Sequence, residues 1–168
     1  AGLTRVQLPE RDVRTTEKRL QDLNAVRHVG ILPPNIDRCI TLLRDYIAGA
    51  QSDFRDLALD VSGISDFNAE IYRALRDIGF GKTTTYGELA TTVKSPGAAR
   101  AVGMAMARNP WPIIVPCHRV LASGDRMGGF SAPGGTLTKE QLLALEGVHL
   151  GGGTPLLPGL GLFPSPRR

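Results

Sequence analysis

Two cysteines, Cys39 and Cys117, are all the thiols this 168-residue chain contains, and they lie far apart. With no third or fourth beside them there is neither a disulfide framework nor a cysteine metal knuckle, so a reducing, cytoplasmic setting is expected. Long apolar runs are lacking too. The opening "AGLTRVQLPERDVR" has no signal-like core, and no apolar stretch approaches the roughly 20 residues of a membrane helix. Charge is not strongly one-sided: 20 Lys and Arg against 16 Asp and Glu give +4 and a pI near 9.4. That balance permits an anionic partner without requiring one. The expectation is a soluble intracellular protein whose 42% hydrophobic residues can form a core.

What is present divides near Gly63. Upstream, "LTRVQLPE" and "DLALDVSG" read as strands, the first on Leu3, Val6 and Leu8. Between them, "PERDVRTTEKRLQDL" reads as an exposed helix. "NIDRCITLLRDYIAG" reads as a helix with Ile36, Ile40, Leu43 and Ile47 inward. Residues 1–63 are therefore expected to be a small mixed α/β piece. Residues 64–150 read as mainly helical, and the Gly- and Pro-rich residues 151–168 as a flexible tail. The downstream part opens with a helix carrying Phe67, Ile71, Leu75 and Ile78 on one face, capped by Ser65 or Asp66. It closes with a helix on which Thr138 and Gln141 fit a capping box, Leu142 and Leu145 face inward, and Glu146 precedes a stop at Gly147.

Two short helical patterns in "GKTTTYGELATTVKSPGAARAVGMAMARNP" flank a break at Ser95, Pro96 and Gly97. Ala98, Ala101, Val102, Ala105 and Met106 recur as an inward stripe, and Arg100 points off it. Two helices across a tight break form a helix-turn-helix, a shape that places its second helix in a DNA groove. Packed helices with a turn are also common in any helical domain. Here the small side chains around Arg100 allow close approach to a surface, with one long cation as a probe. After this pair comes "NPWPIIVPCHRVLASG", in which Pro116 stops an apolar run and is followed by Cys117, His118 and Arg119. A thiol acts as a nucleophile only when ionised, and neighbouring histidine or cationic groups favour that form. The dipeptide alone leaves structural thiol and nucleophile both open; its surroundings carry more information.

"PCHRV" preceded by "ARAVGMAMARNPWPIIV", with "TYGELA" upstream and "GGFSAPGGTLTKEQLLALEG" downstream, resembles the O6-alkylguanine-DNA alkyltransferases, also called methylated-DNA–protein-cysteine methyltransferases. Four motifs agree in order and spacing over about Phe67 to Gly147. The resemblance implies a ribonuclease-H-like N-terminal piece, expected here in shortened form, before the helix-turn-helix domain. It implies single-use repair without a cofactor or metal: duplex DNA is bound, O6-alkylguanine is flipped out, and its alkyl group moves to a cysteine. O4-alkylthymine is an expected second substrate, and a monomer the expected state.

The resemblance makes Cys117 the acceptor and His118 the base, acting through a water and Glu146. It makes Tyr86 the residue that crowds the target phosphate and gives the departing guanine a proton. Asn109 ties the recognition helix to the active-site turn. Arg100 fills the gap in the base stack, with Ser95, Ala99 and Gly103 at the DNA surface. The backbone of Cys117, Val120 and Ser131 would bind the guanine edge between Phe130 and Met106.

Phe130 stands where some relatives have tyrosine, and "FSAPGG" is longer than the loop of others. Cys39 and His28 are too few for the zinc site some relatives carry. Two rivals are a cysteine hydrolase using Cys117 and His118 and a binding-only regulator. Adjacent side chains on an extended segment point to opposite faces, which disfavours direct proton transfer in the hydrolase. Non-transferring relatives lack the acceptor cysteine.

Overall fold

The computed structural model describes residues 2–150. The flexible tail expected at 151–168 lies outside the described residues. Over the described residues the fold is mixed α/β, with six α-helices and a two-stranded parallel sheet. No helix among the described residues is long and apolar enough to cross a membrane.

The upstream strands expected at Leu3 to Leu8 and in "DLALDVSG" do not form. In their place Leu3 makes a single parallel bridge to Leu59, with Leu3 N–H donating to Ala58 O (2.8 Å) and Asp60 N–H to Leu3 O (2.9 Å). The segment then turns away. Val6 N–H donates to Pro110 O at 2.9 Å, and the indole of Trp111 donates to Leu3 O at 2.7 Å. Backbone groups that would have extended a ladder are thus satisfied by the loop leading to Cys117.

Helix α1, Val13–Asp22, is capped by Asp12 and buries none of its side chains. Helix α2, Pro34–Ile47, starts on a proline, whose missing N–H costs nothing there. Its inward face is centred one residue round from the expected one, although Ile36, Leu43 and Ile47 still pack against the core. Ile36, Ile40, Leu43 and Ile47 are only half-buried, whereas Cys39 and Tyr46 are buried, Tyr46 completely. Cys39, Leu42 and Tyr46 also recur at helical spacing, one residue round from the isoleucines. The core takes that stripe because Tyr46 finds hydrogen-bond partners at its tip.

Helix α3, Asp66–Arg76, is capped by Ser65 and buries Ile71, Tyr72 and Leu75, with Phe67 and Ile78 packed at the edge of the core. Strand β1, Thr84–Thr85, leads into α4, Tyr86–Thr92, through a full Thr85–Glu88 capping box. A break follows, and α5, Ala99–Ala107, packs on α4 to complete the helix-turn-helix. Val102, Ala105 and Met106 of α5 are buried; Arg100 is exposed. A 3₁₀ turn, Cys117–Arg119, runs into strand β2, Val120–Leu121, which pairs parallel with β1.

The last helix, α6, Gly135–Leu145, begins earlier than the expected capping box. Gly134 and Gly135 both take positive φ, bringing the chain into the helix three residues before Thr138. Thr138 is therefore inside the first turns, where its hydroxyl donates to Pro133 O at 2.7 Å. The expected stop at Gly147 forms as a Schellman end: φ is +78°, Gly147 N–H donates to Ala144 O, and Val148 N–H to Leu143 O.

Candidate active site

Cys117 is delivered by a tightly wound segment. Val115 N–H donates to Trp111 O, Cys117 N–H donates to Val115 O, each at 2.8 Å, and Ile113 between them has φ +74°. A β-branched residue in that region carries strain of about 1–3 kcal/mol that surrounding packing must hold. Ile113, Ile114 and Val115 are all buried, and Trp111 sits edge-on to Tyr72 at 5.8 Å. The expectation of an extended Cys117–His118 segment is corrected here, because the residues form a 3₁₀ turn. With three residues per turn, neighbouring side chains still diverge by about 120°. The His118 backbone N–H faces the Cys117 sulfur, but no hydrogen bond joins that sulfur to the His118 ring among the described residues.

Asn109, just past α5, spans to that turn. Its side-chain Nδ2 donates to Val115 O at 2.8 Å and to Cys117 Sγ at 3.2 Å, while its Oδ1 accepts from Trp111 N–H at 3.0 Å. Burial pushes the Cys117 thiol up, opposed by the Asn109 hydrogen bond and by the positive charge of Lys139. The resting side chain is a thiol that needs a base.

Glu146 is the hub of the charged groups. Its Oε1 accepts from His118 Nε2 (2.8 Å), Arg119 Nη2 (2.8 Å) and the Tyr46 hydroxyl (2.7 Å). Its Oε2 accepts from Arg119 Nε (2.8 Å) and Gly81 N–H (3.0 Å). Burial alone would push the carboxyl up, but the hydrogen bonds from His118 and Arg119 more than offset it and hold Glu146 well below the usual carboxylate range. An ionised carboxylate only accepts hydrogen bonds, so Nε2 of His118 must carry a proton. In neutral His118 the lone pair is then on Nδ1, which is buried and has no protein partner among the described residues. Burial lowers the proton affinity of His118, and Glu146 raises it. This ring is oriented as a base.

On the other side of Cys117 opens a cavity of about 380 Å³, lined by Tyr86, Gly103, Met106, Phe130 and Ser131 among others. That lies within the roughly 300–1,000 Å³ of small-molecule sites. The Tyr86 hydroxyl reaches Gly129 O at 3.4 Å, and burial followed by the neighbouring Cys117 charge raises its pKa. Val120 is fully buried and does not line the cavity. Its carbonyl accepts from Lys139 Nζ, which also reaches Gly129 O at 3.4 Å. Lys139 is fully buried and lowered to about 8, mainly by burial. On the outer face Arg100 is exposed and Ala99 and Gly103 are half-buried. Ser95 closes the turn, its N–H donating to Ala90 O at 2.9 Å.

The structure thus brings Cys117, Tyr86, Met106, Phe130 and Ser131 around one cavity, with Asn109 bonded to the Cys117 turn and the His118–Glu146 pair beside it. Sequence reasoning missed Tyr46, Arg119 and Lys139. Signals existed. Lys139 shares the inward face of α6 with Leu142 and Leu143, and Tyr46 ends the Cys39–Leu42 stripe. A lysine or tyrosine on an otherwise apolar face must reach a partner.

Residues 66–148 match the family described as 6-O-methylguanine DNA methyltransferase, DNA binding domain. A methylated-DNA–protein-cysteine methyltransferase of Mycolicibacterium paratuberculosis is 46% identical over 104 residues, 62% of this chain and 61% of that protein. Its Mycobacterium leprae counterpart is 43% identical over 120 residues, 70% of each chain. The crystal structure of the O6-methylguanine-DNA methyltransferase of Pyrococcus kodakaraensis aligns with TM-score 0.63 at 33% identity, over 86% of this chain and 87% of that one. Mycobacterium tuberculosis OGT in complex with DNA aligns with TM-score 0.59 at 44% identity, over 64% and 65%. On these matches and the motif around Cys117, the chain belongs to the methylated-DNA–protein-cysteine methyltransferase family.

Proposed function

We propose that this chain repairs duplex DNA by moving the alkyl group of O6-alkylguanine, and of O4-alkylthymine, to Cys117 in a single irreversible transfer. The observation that carries the reading is the position of the sulfur. It faces a cavity flanked by the second helix of the helix-turn-helix, with His118 in the same 3₁₀ turn bonded to Glu146 at the end of α6. The thiol proton passes across a water to His118 Nδ1. The thiolate then attacks the alkyl carbon; the S–C bond forms as the C–O6 bond breaks, and the electron pair leaves with the guanine. Tyr86 supplies the proton the guanine needs, and the proton from the thiol restores the balance. The products are a thioether and an unmodified base, with no second nucleophile to release the protein. Cys117 and Ser131 bind the base edge through their backbone, between Met106 and Phe130, while Val120, buried away from the cavity, does not. We further propose that residues 64–150 form the DNA-binding and active-site domain behind residues 1–63, acting as a cytoplasmic monomer.

Intact-mass measurement after incubation with O6-methylguanine DNA tests the reading, with one methyl gained on Cys117 expected. A cysteine hydrolase would instead turn over repeatedly on an ester or peptide. A binding-only regulator would gain nothing.

Arg100 provides a separate check. Extruding a base costs a few kcal/mol, and a side chain filling the gap lowers that cost. Arg100→Ala is expected to slow repair in duplex DNA far more than dealkylation of the free base, and less when the damaged guanine is mispaired. An arginine that only touches phosphate would weaken binding uniformly and lower the salt slope by about one unit. Rates on free base, matched duplex and mispaired duplex separate the two.

A further inference from the structure

We propose that Tyr46 is a positioning residue of this site: its hydroxyl fixes the Glu146 carboxylate and shares its charge, so that Glu146 orients His118 without holding a second proton on it. The inference rests on the alkyl-transfer reading. It adds a residue from α2, outside the stretch that carries the family motifs.

The geometry is specific. Tyr46 is completely buried, its ring held edge-on by Phe54 at 5.8 Å and Phe80 at 6.1 Å. Its hydroxyl donates to Glu146 Oε1 at 2.7 Å, and its oxygen stands 3.3 Å from His118 Nε2. That carboxylate oxygen also faces Arg119 and His118, so three donors converge on it. Burial and the Glu146 charge keep the phenol protonated, so it acts only as a donor. Each donor that binds a carboxylate lowers its basicity.

The balance at His118 depends on this. To take the thiol proton, Nδ1 must be free. Glu146 favours the doubly protonated ring, while burial and the positive charges of Arg119 and Lys139 oppose it. Around Glu146 the facing groups are His118 and Arg119 from the 3₁₀ turn, Gly81 N–H from the loop before β1, and Tyr46 from α2. Without the phenol, more of the carboxylate charge is directed at His118, and the ring holds its proton to higher pH.

The test is Tyr46→Phe in the full chain, which keeps the ring and its edge contacts. The His118 ring is titrated by NMR without DNA, and methyl transfer from O6-methylguanine DNA is timed across pH. The expected result is a His118 midpoint higher by about half to one unit, a roughly three- to tenfold gain in proton affinity. The acid limb of the rate profile should move by the same amount, with the rate at high pH near that of the parent. An unmoved midpoint, or a rate loss equal at all pH, overturns the proposal. If Tyr46→Phe does not fold, replacing all tyrosines with 3-fluorotyrosine strengthens the donor and should move the midpoint down; no movement overturns it. If the parent protein transfers no methyl group at all, the alkyl-transfer reading fails instead. The NMR arm still decides the part played by Tyr46.

Discussion

Cys117→Ser is expected to reduce methyl transfer to background while leaving binding to alkylated duplex largely intact. The serine hydroxyl ionises far less readily than a thiol, and the buried site penalises the anion further, since burial already pushes the native thiol up. Asn109 can donate to the hydroxyl as it does to the sulfur, so the turn should keep its shape. The surface of α5 proposed to face the groove is separate, because Arg100 is exposed whereas Cys117 is buried. Contacts that position DNA are therefore unaffected by the change in nucleophile. Intact mass after incubation with excess O6-methylguanine duplex, paired with a gel-shift titration, gives both readings. Transfer by the serine variant, or more than one methyl removed per molecule of the parent, would defeat the single-transfer mechanism.

How much of this could be read beforehand depends on how local the cause is. The helix-turn-helix was legible because its break and its apolar stripe lie within thirty-odd neighbouring residues of one pattern. The stop at Gly147 was legible for the same reason, since a Schellman end is made by consecutive backbone groups. The upstream strands were not. Leu3, Val6 and Leu8 are apolar residues in a strand-like run, but the backbone partners of Leu3 and Val6 come from residues 58–60 and 110, a tertiary choice that the local pattern does not encode. The α2 face failed similarly, because two stripes one residue apart were both apolar and the distant Glu146 made Tyr46 the better one to bury. Glu146 itself was placed through the family resemblance. By pattern alone, a glutamate beside a stop glycine reads as a solvated helix end. Its five donors come from three separate parts of the chain.

Arg119→Leu is expected to be the most destabilising single change in the site, costing about 3–5 kcal/mol because it leaves a buried carboxylate without its cation. That is a large share of the ~5–15 kcal/mol that holds a typical domain together. Arg119 reaches both oxygens of Glu146 at 2.8 Å and also donates to Ile78 O, so its loss frees one more acceptor just past the end of α3. The pH dependence identifies the cause. In the parent, Glu146 has a depressed folded pKa, so its contribution is complete above the ordinary carboxylate value of 4.5 and fades as pH falls below it. In Arg119→Leu, burial is offset only by His118, Tyr46 and Gly81, and the carboxyl titrates at higher pH. The gap between parent and variant should then be widest at neutral pH and narrow through the acid range. Denaturant midpoints between neutral and mildly acidic pH measure this. Adding Glu146→Leu to Arg119→Leu should restore part of the stability, since an absent buried pair costs less than a broken one. It should restore no methyl transfer, because His118 has lost the carboxylate that sets its tautomer. A single variant with the parent's midpoint at neutral pH would mean that Arg119 is not what keeps Glu146 ionised in the core.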